Sequence, residues 1–265
     1  MGEAIVITSG KGGVGKTTTT ANIGTALALM DKKVCLIDTD IGLRNLDVTM
    51  GLENRIIYDI VDVIEERCKL KQALIKDKRF DDLVLLPAAQ TSDKSAVTTE
   101  GMIKIITELK KEYDYIIIDC PAGIEQGFQN AVAGADRAIV VTTPEKASVR
   151  DADRIIGLLE KEEMEAPTLV INRIRSHMMK NGDMLSVDDV LQILSIDLIG
   201  IVVDDDEVIK ASNKGEPIAL LPNTSASISY RNIARRILGE TVPLQSLEEE
   251  KGMFHKIKSF FGMNS

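Results

Sequence analysis

The residues best equipped for chemistry stand in one run near the amino terminus, Gly10-Lys11-Gly12-Gly13-Val14-Gly15-Lys16-Thr17. The spacing Gly-x-x-x-x-Gly-Lys-Thr lets glycine backbones turn several amides inward to wrap a phosphate. Lys16 then brings positive charge to the β- and γ-phosphates, and Thr17 offers its hydroxyl to Mg²⁺. The helix that follows turns its positive end toward the anion. Residues Gly10 to Thr18 are thus the expected nucleotide-binding run, with ATP and Mg²⁺ as ligands and Lys16 as a catalytic cation.

Three carboxylates have the setting to join that loop. Asp38 follows the apolar run Val34-Cys35-Leu36-Ile37, Asp40 lies two residues on, and Asp119 closes Tyr115-Ile116-Ile117-Ile118. Acidic groups at such ends can hold Mg²⁺ through its waters and orient an attacking water. Thr17, Asp38 and Asp119 are therefore the candidate metal set, with Asp38 expected in the outer sphere. Other chemistries have little to build on. The only histidines are His177 and His255, and Cys35, Cys68 and Cys120 stand far apart, so neither a zinc site nor a disulfide framework is expected. Such cysteines fit a reduced, cytosolic compartment.

These groups need a scaffold that brings strand ends together. Ile5-Val6-Ile7 leads into the glycine run, and residues 17–30 read as a helix. Short β-branched runs recur at 34–37, 83–86, 115–118, 138–141, 168–171 and 198–202, separated by helix-period stretches such as 148–161. The runs are continuously apolar, which requires burial on both faces, as in a parallel sheet covered by helices. Repeated strand-then-helix units predict a doubly wound α/β fold, mostly parallel, with helices on both faces and ligands at the carboxyl ends of the strands. The 265 residues are 44% hydrophobic but only 3% aromatic, so the core must be aliphatic. One domain is expected over residues 1–243, then a flexible tail over 244–265.

A formal net charge of −9 argues against general affinity for nucleic acid, and no direct nucleic-acid role is expected. No signal peptide is expected before Ile5, and no apolar run approaches the ~18 residues of a membrane span. Any membrane contact must then be peripheral, and the tail offers one. Met253, Phe254, Ile257, Phe260 and Phe261 fall at i, i+1, i+4, i+7 and i+8, one face of a helix, with Lys251, Lys256 and Lys258 interleaved. A helix over about residues 251–262 suits the interface of an anionic membrane.

The loop also resembles a particular family. Lys11, a second lysine in Lys-Gly-Gly-Val-Gly-Lys-Thr-Thr, matches the deviant Walker A pattern of P-loop NTPases. Longer strings resemble the bacterial MinD ATPases: Asp38-Thr39-Asp40-Ile41-Gly42-Leu43-Arg44-Asn45-Leu46-Asp47, Pro121-Ala122-Gly123-Ile124-Glu125, the segment 148–155, and Ala211-Ser212-Asn213-Lys214-Gly215-Glu216-Pro217. The similarity spans effectively the whole chain. It implies an ATPase that forms a homodimer around ATP, with Lys11 acting in trans on the partner subunit's nucleotide, comparable to an arginine finger. It implies Asp40 as the catalytic, water-positioning residue of a first switch and Asp119-Cys120-Pro121-Ala122-Gly123 as the second. Asn172 and Arg173 are implied beside the purine. Val203 departs from the family, whose members often have proline before Asp204-Asp205-Asp206 in the loop bordering the base.

The resemblance further implies division-site selection at the cytoplasmic face of the cell membrane. Its partners would be a MinC-like division inhibitor and a topological factor, MinE-like or pole-tethering. Alternatives share the loop. A flagellar-placement ATPase would differ mainly in the strings above. A DNA-partitioning ATPase would need basic residues on its dimer surface and no lipid-seeking terminus. A redox relative of the nitrogenase iron-protein type would need two cysteines per subunit placed to share an iron–sulfur cluster, which Cys35, Cys68 and Cys120 do not offer.

Overall fold

The computed structural model describes residues 1–164, 166–245 and 247. Eight strands form one sheet: β1 (Glu3–Thr8), β2 (Val34–Asp38), β3 (Ile75–Lys76), β4 (Leu83–Leu86), β5 (Tyr115–Asp119), β6 (Arg137–Thr142), β7 (Thr168–Ile174) and β8 (Asp197–Val203). Their spatial order is β3-β4-β2-β5-β1-β6-β7-β8. Neighbours run parallel except β3 and β4, an antiparallel pair at one margin. This is the doubly wound, mostly parallel sheet that continuous apolar runs require. Strand β3 escaped the sequence pattern because two residues, Ile75 and Lys76, carry no period.

Successive residues of a strand face opposite sides, and here both sides are core. Ala4, Val6, Cys35, Ile37, Ile116 and Ile118 join one cluster, whereas Ile5, Ile7, Leu36 and Ile117 join another. The helices are α1 (Lys16–Ala28), α2 (Leu46–Met50), α3 (Ile60–Ile64), α4 (Leu70–Ala73), α5 (Thr99–Leu109), α6 (Gln126–Val132), α7 (Lys146–Lys161), α8 (Ser176–Lys180), α9 (Val187–Leu194), α10 (Asp206–Asn213) and α11 (Ser225–Ile237). Met102 of α5, Phe128 of α6, Ile155 of α7 and Val190 of α9 cover the first cluster, and Leu27 of α1 and Ile233 of α11 cover the second.

Helix α7 shows why its residues form a helix: Ser148, Val149, Ala152, Ile155, Ile156 and Leu159 repeat at helical spacing and are all buried. Helix α1 works differently. Its Thr17-Thr18-Thr19-Thr20 start has poor intrinsic helix propensity, yet Lys16 and every residue from Thr19 to Ala28 are buried. Packing on all sides, rather than propensity, holds α1.

Helix α11, the last among the described residues, also holds the segment that follows it. Arg236 donates to the carbonyl of Ile199 in β8 at 2.9 Å, to that of Val242 at 3.0 Å and to that of Pro243 at 2.7 Å. Gln245 accepts from the Ser229 hydroxyl at 2.7 Å, and Leu247 packs on the first cluster. Lys251, Met253, Phe254, Lys256, Ile257, Lys258, Phe260 and Phe261, expected on a membrane-seeking helix, lie outside the described residues. Among those described, no helix is long and apolar enough to cross a membrane.

Candidate nucleotide-binding site

Strand β1 lies between β5 and β6, where the sheet's connections diverge to either side. Ligands of such sheets bind at this crevice, beyond the carboxyl ends. The turn from Thr8 to Lys16 is built for it. Gly15, the residue before α1, has φ 100°, and Gly13 has φ 80°, left-handed values that favour glycine. Gly10 is needed for a different reason: a Cβ there would overlap the backbone of Asp151 in α7. Lys16 is only 8% exposed, and its Nζ donates to Ser9 Oγ at 2.9 Å. Ser9 in turn donates to the carbonyl of Lys11 at 2.8 Å, so the lysine is folded back along its own loop. Lys11 itself is exposed.

The acids meet where β2 and β5 end side by side, Asp38 in register with Asp119. Asp38 is 0% and Asp119 2% exposed. Asp38 Oδ1 accepts from the Asp40 amide at 2.9 Å and Oδ2 from the Leu46 amide at 3.2 Å, so one carboxylate holds both ends of the segment carrying Asp40. Thr39 donates its hydroxyl to the Asp119 carbonyl at 2.6 Å. The Asp119 carboxylate accepts from Thr20 at 3.3 Å.

Burial, reinforced by the Asp119 charge, holds the Asp38 carboxyl well above the usual carboxylate range. Burial likewise pushes Asp119 up to about 7, against the opposing pull of the Thr17 hydroxyl and Lys16. Two buried, mutually repelling carboxyls beside a threonine hydroxyl are what a hard divalent cation would relieve. Among the described residues no cluster of three or more His, Cys, Asp or Glu makes a self-sufficient metal cage. The set therefore fits Mg²⁺ arriving with phosphates and water as its remaining ligands.

A cleft of about 450 Å³ opens over the loop. Gly12, Gly13, Gly15, Lys16, Thr17 and Thr18 form one wall, and Asp40, Leu43, Asn45, Val48 and Thr49 form another. Ala122, Arg173, Ser212 and Asn213 complete it. A second pocket, about 210 Å³, shares Gly15, Thr18 and Arg173 with the first. Asn172, Val203, Val208, Ile209 and Tyr230 line it, with the Asp204-Asp205-Asp206 loop at its side. A phosphate cleft joined to a smaller, partly apolar pocket is the shape of a nucleotide.

A β-bulge delivers the two residues at the junction. Between Ile171 and Ile174 strand β7 spends one residue more than β8, where Ile171 pairs with Ile201 and Ile174 with Val203. Arg173 sits in the bulge at φ 55°, an uncommon value for any residue but glycine, and is exposed. Asn172 turns inward, and its Nδ2 donates to the Val14 carbonyl at 2.8 Å.

The structure thus brings Gly12, Gly13, Gly15, Lys16, Thr17, Thr18, Asp40 and Arg173 to one cleft, with Asn172 in the adjoining pocket. Asp38 and Asp119 lie just behind it. Gly10, Lys11 and Val14 are not in its lining; Val14 is a core residue. Sequence reasoning missed Leu43, Asn45, Val48, Thr49, Val208, Ile209, Ser212 and Asn213. None stands in a phosphate- or metal-binding motif. Leu43, Asn45, Ser212 and Asn213 fall in family-like strings, and that was their only signal.

The fold and this site define a P-loop nucleotide-binding protein of the deviant Walker A type. Comparisons with known proteins make the class specific. Residues 2–170 match the family described as AAA domain. The chain is 74% identical to the septum site-determining protein MinD of Bacillus subtilis, with 100% of both chains covered. It superposes on MinD in the MinC:MinD cell division protein complex of Aquifex aeolicus with TM-score 0.86 and 52% identity, over 92% of this chain and 98% of that one. With MinD from Pyrococcus horikoshii, solved with Mg-ADP, the TM-score is 0.82 at 27% identity, covering 89% and 96%. The chain belongs to the MinD family of septum site-determining proteins.

Proposed function

We propose that this protein is a membrane-cycling switch of division-site selection: ATP pairs two copies, pairing attaches them to the membrane, and hydrolysis releases them. Its enzymatic class is that of its family. It is an ATPase, converting ATP and water to ADP and phosphate with Mg²⁺. Relatives include a MinD solved with Mg-ADP and one solved with MinC, which supports Mg²⁺ and a MinC-like inhibitor as ligand and partner here.

Within the cleft, the amides of residues 12–18 donate to phosphate oxygens at the positive end of α1. Lys16, held by Ser9, offsets phosphate charge. Thr17 would give the ion a hydroxyl ligand, and Asp119 would face the ion's water shell from just behind it. Asp38 steadies the segment 39–46, and Asp40 positions the water. Arg173 and Asn172 border the purine. Bound Mg²⁺ supplies Lewis-acid charge stabilisation to the phosphates.

The observation that carries the dimeric reading is the contrast between two lysines on one loop. Lys16 is buried and folded onto its own cleft; Lys11 is exposed and outside that cleft's lining. A cation so placed is suited to a nucleotide held by a second copy. The tail then gives pairing a consequence. Each lysine near an anionic surface contributes roughly 1 kcal/mol, and each fully buried large apolar side chain roughly 1.5–3. Interfacial burial is partial, and a helix below ~12 residues is marginal in water. One tail therefore binds weakly, while two on one dimer gain about 10²–10⁴-fold by avidity. A topological factor, MinE-like or pole-tethering, would set where the cycle turns over.

Co-sedimentation with anionic vesicles tests this. Full-length protein should pellet with ATP and stay largely in the supernatant with ADP. Equal pelleting in the two states would sink the switch.

A further inference from the structure

Arg79 lies in the turn between β3 and β4, and its partners connect two walls of the nucleotide cleft. Its Nη2 donates to the carbonyl of Met50, the last residue of α2, at 2.9 Å. Its Nη1 donates to the carbonyl of Gly215, two residues beyond α10, at 3.2 Å. Asp77 sets the guanidinium: its Oδ1 accepts from Arg79 Nε at 2.9 Å and from the Arg79 amide at 2.7 Å, and its Oδ2 pairs with Nη2. The Asp77 side chain is 0% exposed and that of Arg79 26%. A buried carboxylate thus aims one arginine at two helix C-termini, where a cation is favoured by the exposed carbonyls.

The two helix ends touch only because both turns use glycine. Gly51 ends α2 at φ 67° and Gly215 follows α10 at φ 66°. A Cβ on Gly51 would come within 2.8 Å of the Gly215 carbonyl oxygen, and one on Gly215 within 2.5 Å of Gly51 Cα. Helix α2 carries Val48 and Thr49, and α10 carries Ser212 and Asn213, into the same cleft that the phosphate loop lines. Arg79 is not among the residues lining that cleft.

We propose that Arg79, aimed by Asp77, is a positioning residue for nucleotide binding: it locks α2 to the α10 end and so fixes the cleft wall that faces the phosphate loop. The proposal rests on the nucleotide reading of that cleft. A planar fork that serves Asp77, Met50 and Gly215 at once is a task for arginine; lysine, a point charge, can serve only part of it.

The test uses full-length protein with a fluorescent ADP analogue and Mg²⁺. Arg79→Met and Asp77→Asn should each weaken analogue binding by about 2- to 30-fold, the usual range for residues acting at one remove. Arg79→Lys should fall between these and wild type. Backbone amide exchange should quicken at residues 51–52 and 215–216 in all three variants and not along β5. If Arg79→Met fails to fold, the Lys and Asn variants decide. Variants that melt at lower temperature but, when folded, bind the analogue as tightly as wild type would reduce Arg79 to a stabilising contact and overturn the proposal. Lys16→Ala separates the two readings. Loss of binding in Lys16→Ala alone leaves the nucleotide site standing and refutes the role of Arg79, whereas a wild-type protein that bound no analogue would refute both.

Discussion

Asn172 and Val14 are joined by a hydrogen bond of 2.8 Å from a side-chain amide on β7 to a carbonyl in the phosphate loop. A residue expected beside the purine thus also holds the loop that binds phosphate. Gly15 lies under it: a Cβ at that position would overlap Asn172 Nδ2. Asn172→Ala should lower stability by about 1–3 kcal/mol, the cost of leaving a buried carbonyl unpaired, and weaken nucleotide binding with it. Urea unfolding and nucleotide titration of one preparation check both. Gly15→Ala should do worse, since it adds a clash to a φ of 100°.

Asp38 gives a second prediction. It accepts from the amides of Asp40 and Leu46, the two ends of one loop. An intramolecular hydrogen bond contributes roughly 0.5–1.5 kcal/mol net, and two of them end on Asp38. Asp38→Ala should therefore speed amide exchange at Asp40 and Leu46 by about tenfold or more, and ATP turnover should fall. Unchanged exchange at both amides would show that the loop is held by other contacts.

The cysteines give a third. Burial pushes the Cys120 thiol up to about 12 and the Cys35 thiol higher still, and both side chains are buried. Cys68 is half-buried, with its thiol raised by burial and by Asp62 and Asp59. A raised thiol pKa means less thiolate at a given pH and slower attack. At pH 8, a disulfide reagent should label native protein slowly at Cys68, and reach Cys35 and Cys120 only on unfolding. Rapid labelling of Cys120 would contradict its buried setting.

The tail gives a fourth. Phe260→Glu puts a charge on the apolar face read from residues 253–261. It should abolish ATP-dependent pelleting with anionic vesicles while leaving nucleotide binding within about twofold, since the cleft is lined by residues from Gly12 to Asn213. Pelleting that survived this change would remove the tail from the account.

How far these features were legible depends on where their physics is written. The strands were legible because burial on both faces forces continuous apolar runs, as in Ile116-Ile117-Ile118. The loop was legible because phosphate binding demands glycines and a lysine at fixed spacing. The far wall was not. Val48, Thr49, Ser212 and Asn213 come from segments more than 160 residues apart, and nothing in their side-chain chemistry names a phosphate. The bulge at Asn172 and Arg173 was invisible too, because it depends on the register between β7 and β8. Asp77 and Arg79 look, in sequence, like two charges of a surface turn.

The central claim is that Lys11 makes this site half of a dimeric one, and the most direct test is sedimentation velocity of full-length protein without lipid. With a non-hydrolysable ATP analogue and Mg²⁺, wild type should sediment as a dimer and Lys11→Ala as a monomer that still binds the analogue. A Lys11→Ala protein that dimerised with the analogue as wild type does would contradict the claim.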